Sequence, residues 1–445
     1  MRDIAVVLIV GVITLMALKR PWIGVMLWTW LSLMSPHRLA WSFAYDAPLA
    51  AIAAGVTLIG LLTTKERQSP FQGAPVVFFT AFVLWITVSW LLGVSTAGDY
   101  EDWSKVMKID LMIFVTLTLL RNKYQIMAFA SVIAASLAFF GTKGGIFTIL
   151  NGGNYRVWGP PGSFIEDNNE LALALIMVIP LLHFLQMQVT SRAARHGLSL
   201  VIVLCAASAL GSYSRGGLLA IGAMGAMFWW RSRHKAPMAI LIAIVLLAVL
   251  PIMPEDWWDR MRSISDYGSD SSAQARLYSW RVAREVATHY FSGAGMSYQH
   301  PALFSMFGTG PDSVIAAHSI YFQILGNHGF VGLFLFISVW IATFHSAAWL
   351  RKHARSRPEG KWAADLGSMV QVSLVGYAVG GAFLSLSYFD LPYDMMVLVV
   401  LARAWVERRA WEREPQSSFL EYAGLRKARR NKSPVVARSG ANARQ

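Results

Sequence analysis

Apolar runs long enough to cross, or nearly cross, a bilayer recur along the whole chain, separated by mostly short polar connections. They fall at roughly 4–18, 22–34, 46–62, 75–93, 103–120, 125–141, 169–187, 198–211, 216–230, 237–253, 319–349, 366–386 and 393–407. The pattern predicts an all-α polytopic integral membrane protein with about 12 transmembrane helices. The first two runs hold only about 15 and 13 residues, against roughly 20 for a full span. They read as a shallow hairpin or as one broken helix. Lys19-Arg20-Pro21 closes the first run without a small-residue cleavage site, so this run reads as an uncleaved helix and not a signal peptide.

One connection is long. Residues 254–318 carry an amphipathic stretch, Ser272 to Tyr290, with apolar Leu277, Trp280, Val282, Val286 and Tyr290 and basic Arg276, Arg281 and Arg284. It predicts a helix lying on or near the membrane surface. The chain then divides into N-terminal helices over 1–130, a transmembrane core over 131–253 and a large loop domain over 254–318. C-terminal helices follow over 319–410, and a basic tail over 411–445. No internal repeat accompanies these runs, which weakens a transporter built from duplicated halves.

Composition excludes a soluble fold. Of 445 residues 55% are hydrophobic and 14% charged, against roughly 25% charged in soluble domains. The formal net charge of +14 is spread in short clusters, which argues against a nucleic-acid surface and for cytoplasmic loops. Lys65/Arg67, Arg121/Lys123, Arg192/Arg195, Arg231/Arg233/Lys235, Arg351–Lys361 and a tail containing Arg426-Lys427-Ala428-Arg429-Arg430 alternate with nearly uncharged or acidic connections. By the positive-inside rule the connections 94–102, 142–168, 212–215, 254–318 and 387–392 face outward, and the tail faces the cytoplasm. The single Cys205 lies in an apolar run, so neither an intramolecular disulfide nor a thiol-ligated metal site is expected.

The chain lacks Gly-x-x-x-x-Gly-Lys-Ser/Thr, His-Glu-x-x-His and Gly-x-Ser-x-Gly. Its cytoplasmic loops are too short for a nucleotide-sugar domain. Chemistry should therefore face outward and use a substrate that arrives activated. Three outward stretches each open a helix: 154–170, with Arg156, Asn168 and an Asp167/Glu170 pair at capping-box spacing; 211–217, with Tyr213, Ser214, Arg215, Gly216 and Gly217; and His318 onward, through Gly329 to Gly332. Helix N-termini and guanidinium groups both favour phosphate. Arg156, Arg215 and Arg276 thus read as a pyrophosphate clamp, with Gly216 and Gly217 permitting close approach. Each Arg also reads as a lipid anchor and the Gly pair as helix packing. His318 reads as a general base or as a structural cap. His328, His183 and His345 are assigned to structure, and His289 and His300 are weaker loop candidates. Lys105, Lys108 and Asp110 lie at membrane depth, where ionisable groups draw attention; local Lys108–Asp110 compensation is the plainer reading. Glu255, Asp256, Asp259, Asp266, Asp270 and Asp312 show no coordination spacing, so neither metal nor cofactor is expected.

Taken together, Arg156-x-x-Gly159 with Asn168, Ser214–Gly217, the long loop with Arg276 and Trp280, Gly293-Ala294-Gly295, and His318 with Gly329-x-x-Gly332 resemble the O-antigen ligase family over about 140–345. The first 130 residues resemble the extended N-terminal part of its exosortase-associated O-glycosylation branch. Family members often carry an acidic residue near Gly-x-x-Gly; this chain has Asn327-His328. The resemblance implies a multi-pass glycosyltransferase of the inner membrane, active at the periplasmic face. It implies a donor glycan on undecaprenyl pyrophosphate and an acceptor hydroxyl on lipid A–core oligosaccharide, while related members polymerise O-antigen or glycosylate proteins. Metal-free inverting displacement is implied, with Arg156, Arg215 and Arg276 holding pyrophosphate and His318 activating or orienting the hydroxyl. A lipid-linked-glycan transporter is the alternative from another class; it should carry paired ionisable groups at the bilayer midplane.

Overall fold

The computed structural model describes residues 1–231, 235–236, 239–240, 243–244, 247, 250–263, 271–308 and 314–414. Residues 237–238, 241–242, 245–246 and 248–249 of the run at 237–253, together with Arg233, Asp266, Asp270, Asp312 and the tail from 415 with Arg426–Arg430, lie outside the described residues. The helices are α1 (Arg2–Lys19), α2 (Pro21–Met34), α3 (Leu49–Thr63), α4 (Gly73–Leu91), α5 (Tyr100–Leu119), α6 (Lys123–Leu150), α7 (Asn168–Gln188), α8 (Arg192–Leu210) and α9 (Arg215–Arg231). They continue as α10 (Glu255–Arg262), α11 (Ser271–His289), α12 (Pro301–Phe307), α13 (Ile320–His353), α14 (Lys361–Gly380) and α15 (Asp390–Glu407). Among the described residues there is no strand. Six helices among them are long and apolar enough to cross a membrane: α4, α6, α7, α8, α13 and α14 with its extension to Phe383. The chain is an integral membrane protein.

The first two runs form a hairpin. Arg20 is the only residue between α1 and α2; its extended backbone turns the chain, and Pro21 starts the next helix where no N–H is needed. Val10, Leu27, Leu31, Leu49 and Ala53 pack α1, α2 and α3 into one small core. Helix α6 runs nine residues beyond the apolar stretch that ends at 141. Gly144 and Gly145, in a stretch read from sequence as an outward connection, form a packing face: a Cβ on Gly145 would lie 2.2 Å from the Leu204 carbonyl oxygen of α8. Two helices are buried nearly all round, α7 and α15, as expected of helices apolar on every side. They form the centre of the bundle.

The long loop domain folds onto the bundle. Val282, Ala283 and Val286 of α11 pack with Ala294, Tyr298, Leu303, Phe304 and Ala317. Trp280 donates to the Ala317 carbonyl at 2.7 Å and stacks on Phe322 of α13 at 4.7 Å. The apolar face assigned from sequence to a membrane surface is thus covered mainly by protein, because the loop returns over it. Helix α13 breaks at Gly329 (φ 66°). The carbonyls freed there are met by Ala294 N–H on Gly326, Gly295 N–H and Ser89 Oγ on Asn327, and Trp85 Nε1 on His328. A Cβ on Gly293 would lie 2.4 Å from the Asn327 oxygen, so Gly293-Ala294-Gly295 is an element that plugs a helix break. The N-terminal helices share this joint: Val94 N–H bonds the Ala294 carbonyl, and the Asp99 carboxylate accepts from the Met296 and Ser297 amides.

Candidate active site

Three helix starts converge at one end of the bundle. Asp167 caps α7, its Oδ1 accepting from the Asn169 amide and side chain, each at 2.8 Å. The capping-box spacing therefore yields an Asp cap bonded to the second helical residue, and Glu170 is left for other contacts. Buried Asn168 donates to the Ser212 carbonyl at 2.6 Å and ties the start of α7 to the turn between α8 and α9. In that turn Tyr213 adopts φ 62° and gives its hydroxyl to the Gly153 carbonyl at 2.7 Å. Ser214 Oγ accepts from Gly217 N–H at 3.0 Å and caps α9. Gly216 and Gly217 serve packing: a Cβ on Gly216 would meet Phe383 at 3.0 Å, and one on Gly217 would meet Ala172 at 3.2 Å. Of the secondary candidates, Asn168, Tyr213, Ser214, Gly216 and Gly217 thus build the turn that presents Arg215. Asn168 Oδ1 also accepts from the Asn169 side-chain amide at 3.4 Å, and Gly216 lines the cavity beside Arg215.

Arg215 and Arg276 meet across a cavity of about 300 Å³. Arg215, the first residue of α9, donates from Nη1 to Ser263 Oγ at 2.9 Å. Arg276 comes from the middle of α11, and Trp280, one turn later, closes the same wall beside Phe383. The cavity is open and its walls are mostly apolar apart from the two guanidinium groups and Ser263. An anion with an apolar tail suits such a lining.

His318, Asp167, Glu170 and Arg276 form the second half of the site. Each of His318 and Glu170 feels the charges of both Asp167 and Arg276. His318 takes φ 42° between Ala317, held by Trp280, and the start of α13. Burial and the Arg276 guanidinium hold its imidazole below the ordinary value near 6.5, against a smaller upward pull from Asp167. It is therefore neutral at pH 7. Burial would raise Asp167, but hydrogen bonding with Glu170 and Asn169 holds its carboxyl below the usual range. His318 Nδ1 and Glu170 Oε2 are buried and make no hydrogen bond among the described residues. A buried polar atom left so is costly unless a ligand completes it.

Not every sequence candidate joins this cluster. Arg156 is exposed, with its guanidinium 5.6 Å above the Tyr213 ring, and does not line the cavity. His289 bonds the Glu285 carbonyl within its own helix, and His300 Nδ1 caps α12. His328 is fully buried, with Nδ1 on Ser89 Oγ at 2.9 Å and Nε2 on the Tyr388 hydroxyl at 2.7 Å, as its structural assignment requires. Asn327 donates to the Met296 carbonyl and to the Tyr388 hydroxyl and accepts from the Tyr298 amide. The Lys108–Asp110 compensation does not form: Lys108 is exposed and Asp110 buried, since residues two apart on a helix face different ways. Lys105 instead sits over the Phe164 ring at 4.0 Å. Glu170 was missed as a site residue; the signal was an acid one turn inside an otherwise apolar helix.

Residues 200–337 match the family described as O-antigen ligase, and residues 1–190 match a family of unknown function (DUF5935). The ligase match covers Arg215, Arg276 and His318, while Arg156, Asn168 and Glu170 fall in the other match. No curated protein matches the chain.

Proposed function

We propose that this chain, whose residues 200–337 match the family described as O-antigen ligase, moves a glycan from undecaprenyl pyrophosphate to an acceptor hydroxyl of lipid A–core oligosaccharide. The family assignment carries a membrane glycosyltransferase-type function; donor, acceptor and mechanism are our reading of the site. One observation supports it most: two arginines face each other across an open, largely apolar cavity, next to a neutral His beside a carboxyl pair. Arg215 and Arg276 hold the pyrophosphate and stabilise the charge that grows on it as the sugar departs. His318 meets the acceptor hydroxyl and relieves it of its proton as the new bond forms. A single displacement of this kind inverts the anomeric centre. Two guanidinium groups supply the charge that a divalent cation supplies in other phosphate sites.

Purified protein given undecaprenyl-pyrophosphate-linked oligosaccharide should extend lipid A–core and release undecaprenyl pyrophosphate. Transfer to a second lipid-linked glycan instead would assign a polymerase, transfer to a polypeptide would assign a protein glycosyltransferase, and movement of intact donor across vesicles would assign a transporter.

The site works on such substrates only if its end of the bundle faces the periplasm. Alternation of basic clusters motivates that orientation. Cysteines introduced at Ser271 and Ser433 should react oppositely with an impermeant thiol reagent on spheroplasts, Ser271→Cys labelled and Ser433→Cys protected. The native Cys205 is buried and leaves a silent background. Labelling of the tail alone would invert the topology and remove the proposed access to donor.

A further inference from the structure

We propose that Trp280 seats the sugar joined to the pyrophosphate, its indole lying against that ring between the two arginines and His318. This rests on the reading of the site as a glycan-transfer centre and deepens it to the donor's first sugar. In a direct displacement the anomeric carbon lies between the leaving phosphate and the attacking hydroxyl. Trp280 stands between the residues that would hold those two groups. It follows Arg276 by four residues on α11, so the two side chains share one face of the helix and line the same cavity. At its other end Nε1–H donates to the carbonyl of Ala317, the residue before His318, at 2.7 Å. His318 also feels the Arg276 charge, so guanidinium, indole and imidazole are near neighbours.

The indole is held as a fixed platform. Phe322 of α13 stacks on it with 4.7 Å between ring centres and 6° between planes. The preceding residue strengthens the grip: Ser279 Oγ donates to the Ile315 carbonyl at 2.8 Å and accepts from the Tyr298 hydroxyl at 2.6 Å. With one face and the N–H edge engaged, the opposite face and the far edge remain for the cavity, where Trp280 is only half-buried. The rest of the wall narrows the ligand chemistry. Besides Arg215, Arg276 and Ser263 it presents apolar side chains and Gly216. A pyranose suits this, because its C–H groups, made slightly positive by the ring oxygens, are drawn to the negative face of an aromatic ring. Phe383, the other ring in the wall, stands beside Gly216 at the Arg215 side.

The test compares two ligands on the full-length protein in nanodiscs without acceptor: undecaprenyl-pyrophosphate-linked oligosaccharide and undecaprenyl pyrophosphate itself. Both carry the anion and the lipid chain, and only the first carries sugar, so the ratio of their affinities isolates the sugar contact. The wild type should prefer the glycan-bearing ligand. Trp280→Leu should lose about tenfold of that preference, with affinity for undecaprenyl pyrophosphate unchanged. Trp280→Phe, which keeps a ring beside Phe322, should retain most of it. An equal loss for both ligands in Trp280→Leu would make the residue a wall of the phosphate site and overturn the proposal. So would an unaltered preference, no preference in the wild type, or a Trp280→Phe variant as poor as Trp280→Leu. Each of those results leaves donor binding and transfer by the wild type standing, whereas a wild type that binds neither ligand would sink the functional reading itself.

Discussion

His318→Ala is expected to slow glycan transfer about 100- to 10,000-fold, the usual worth of a positioned general base, while donor binding survives. An attacking hydroxyl must shed its proton as the bond to the anomeric carbon forms, and only a neutral imidazole can receive it. Burial and Arg276 keep the folded pKa below the ordinary value near 6.5. The sign follows directly: the group is competent above its folded pKa, so the His318-dependent rate falls as pH drops through a value below 6.5. Single-turnover rates from pH 5 to 8 should show that limb in the wild type and lose it in the mutant. Arg276→Ala removes one of the two influences holding the imidazole down, so in that background the same limb should move to higher pH. Unchanged transfer by His318→Ala at every pH would remove it from the mechanism. His289 and His300 would not replace it readily, since each is committed to holding a helix.

Arg215→Ala and Arg276→Ala should each cost about 100- to 1,000-fold in kcat/KM, or roughly 2.7–4 kcal/mol of transition-state stabilisation. Both guanidinium groups line one cavity, so their effects should be non-additive. Arg215→Lys should remain poor. The native fork donates from Nη1 to Ser263, and a single ammonium cannot reproduce the planar, bidentate geometry of a guanidinium toward phosphate. Arg156→Ala separates the clamp from its surroundings. Its exposed guanidinium over Tyr213 is worth about 0.5–1 kcal/mol, so we expect at most roughly a fivefold loss. Steady-state kinetics of the four variants, with elution profiles checking the fold, decides between this ranking and three equal arginines. Wild-type turnover in Arg215→Ala and Arg276→Ala would return both to lipid anchoring.

Much of the bundle was legible in the chain because a bilayer demands long apolar runs with their backbone hydrogen bonds made internally. Helices α1–α9 and α13–α15 overlap the expected runs, α11 begins within a residue of its amphipathic stretch, and Asp167 caps α7 as its position suggests, whereas α10 and α12 of the long loop were not expected. The extension of α6 to Leu150 was not legible, because the apolar run ends at 141 and the turn beyond it is supported by packing of Gly144 and Gly145 against α8. Nor was the role of Gly293-Ala294-Gly295, which depends on carbonyls freed by Gly329 some 30 residues later. The candidate residues Arg215, Arg276 and His318 stand out in sequence as charges and a His at outer helix ends. Their meeting does not, since they are brought together by the fold of the loop domain over the starts of α7, α9 and α13. Arg156 looks equivalent to the others in sequence, and only packing turns it onto Tyr213 and away from the cavity. Glu170 reads as a capping residue by spacing alone; once Asp167 bonds Asn169 instead, its side chain is left to share Arg276 and Asp167 with His318. Local pattern determined where the chain enters and leaves apolar surroundings, because that depends on each segment's own transfer free energy. Which charges become neighbours depended on long-range packing, because Coulomb interactions and hydrogen bonds act over a few ångströms in space, whatever the separation along the chain.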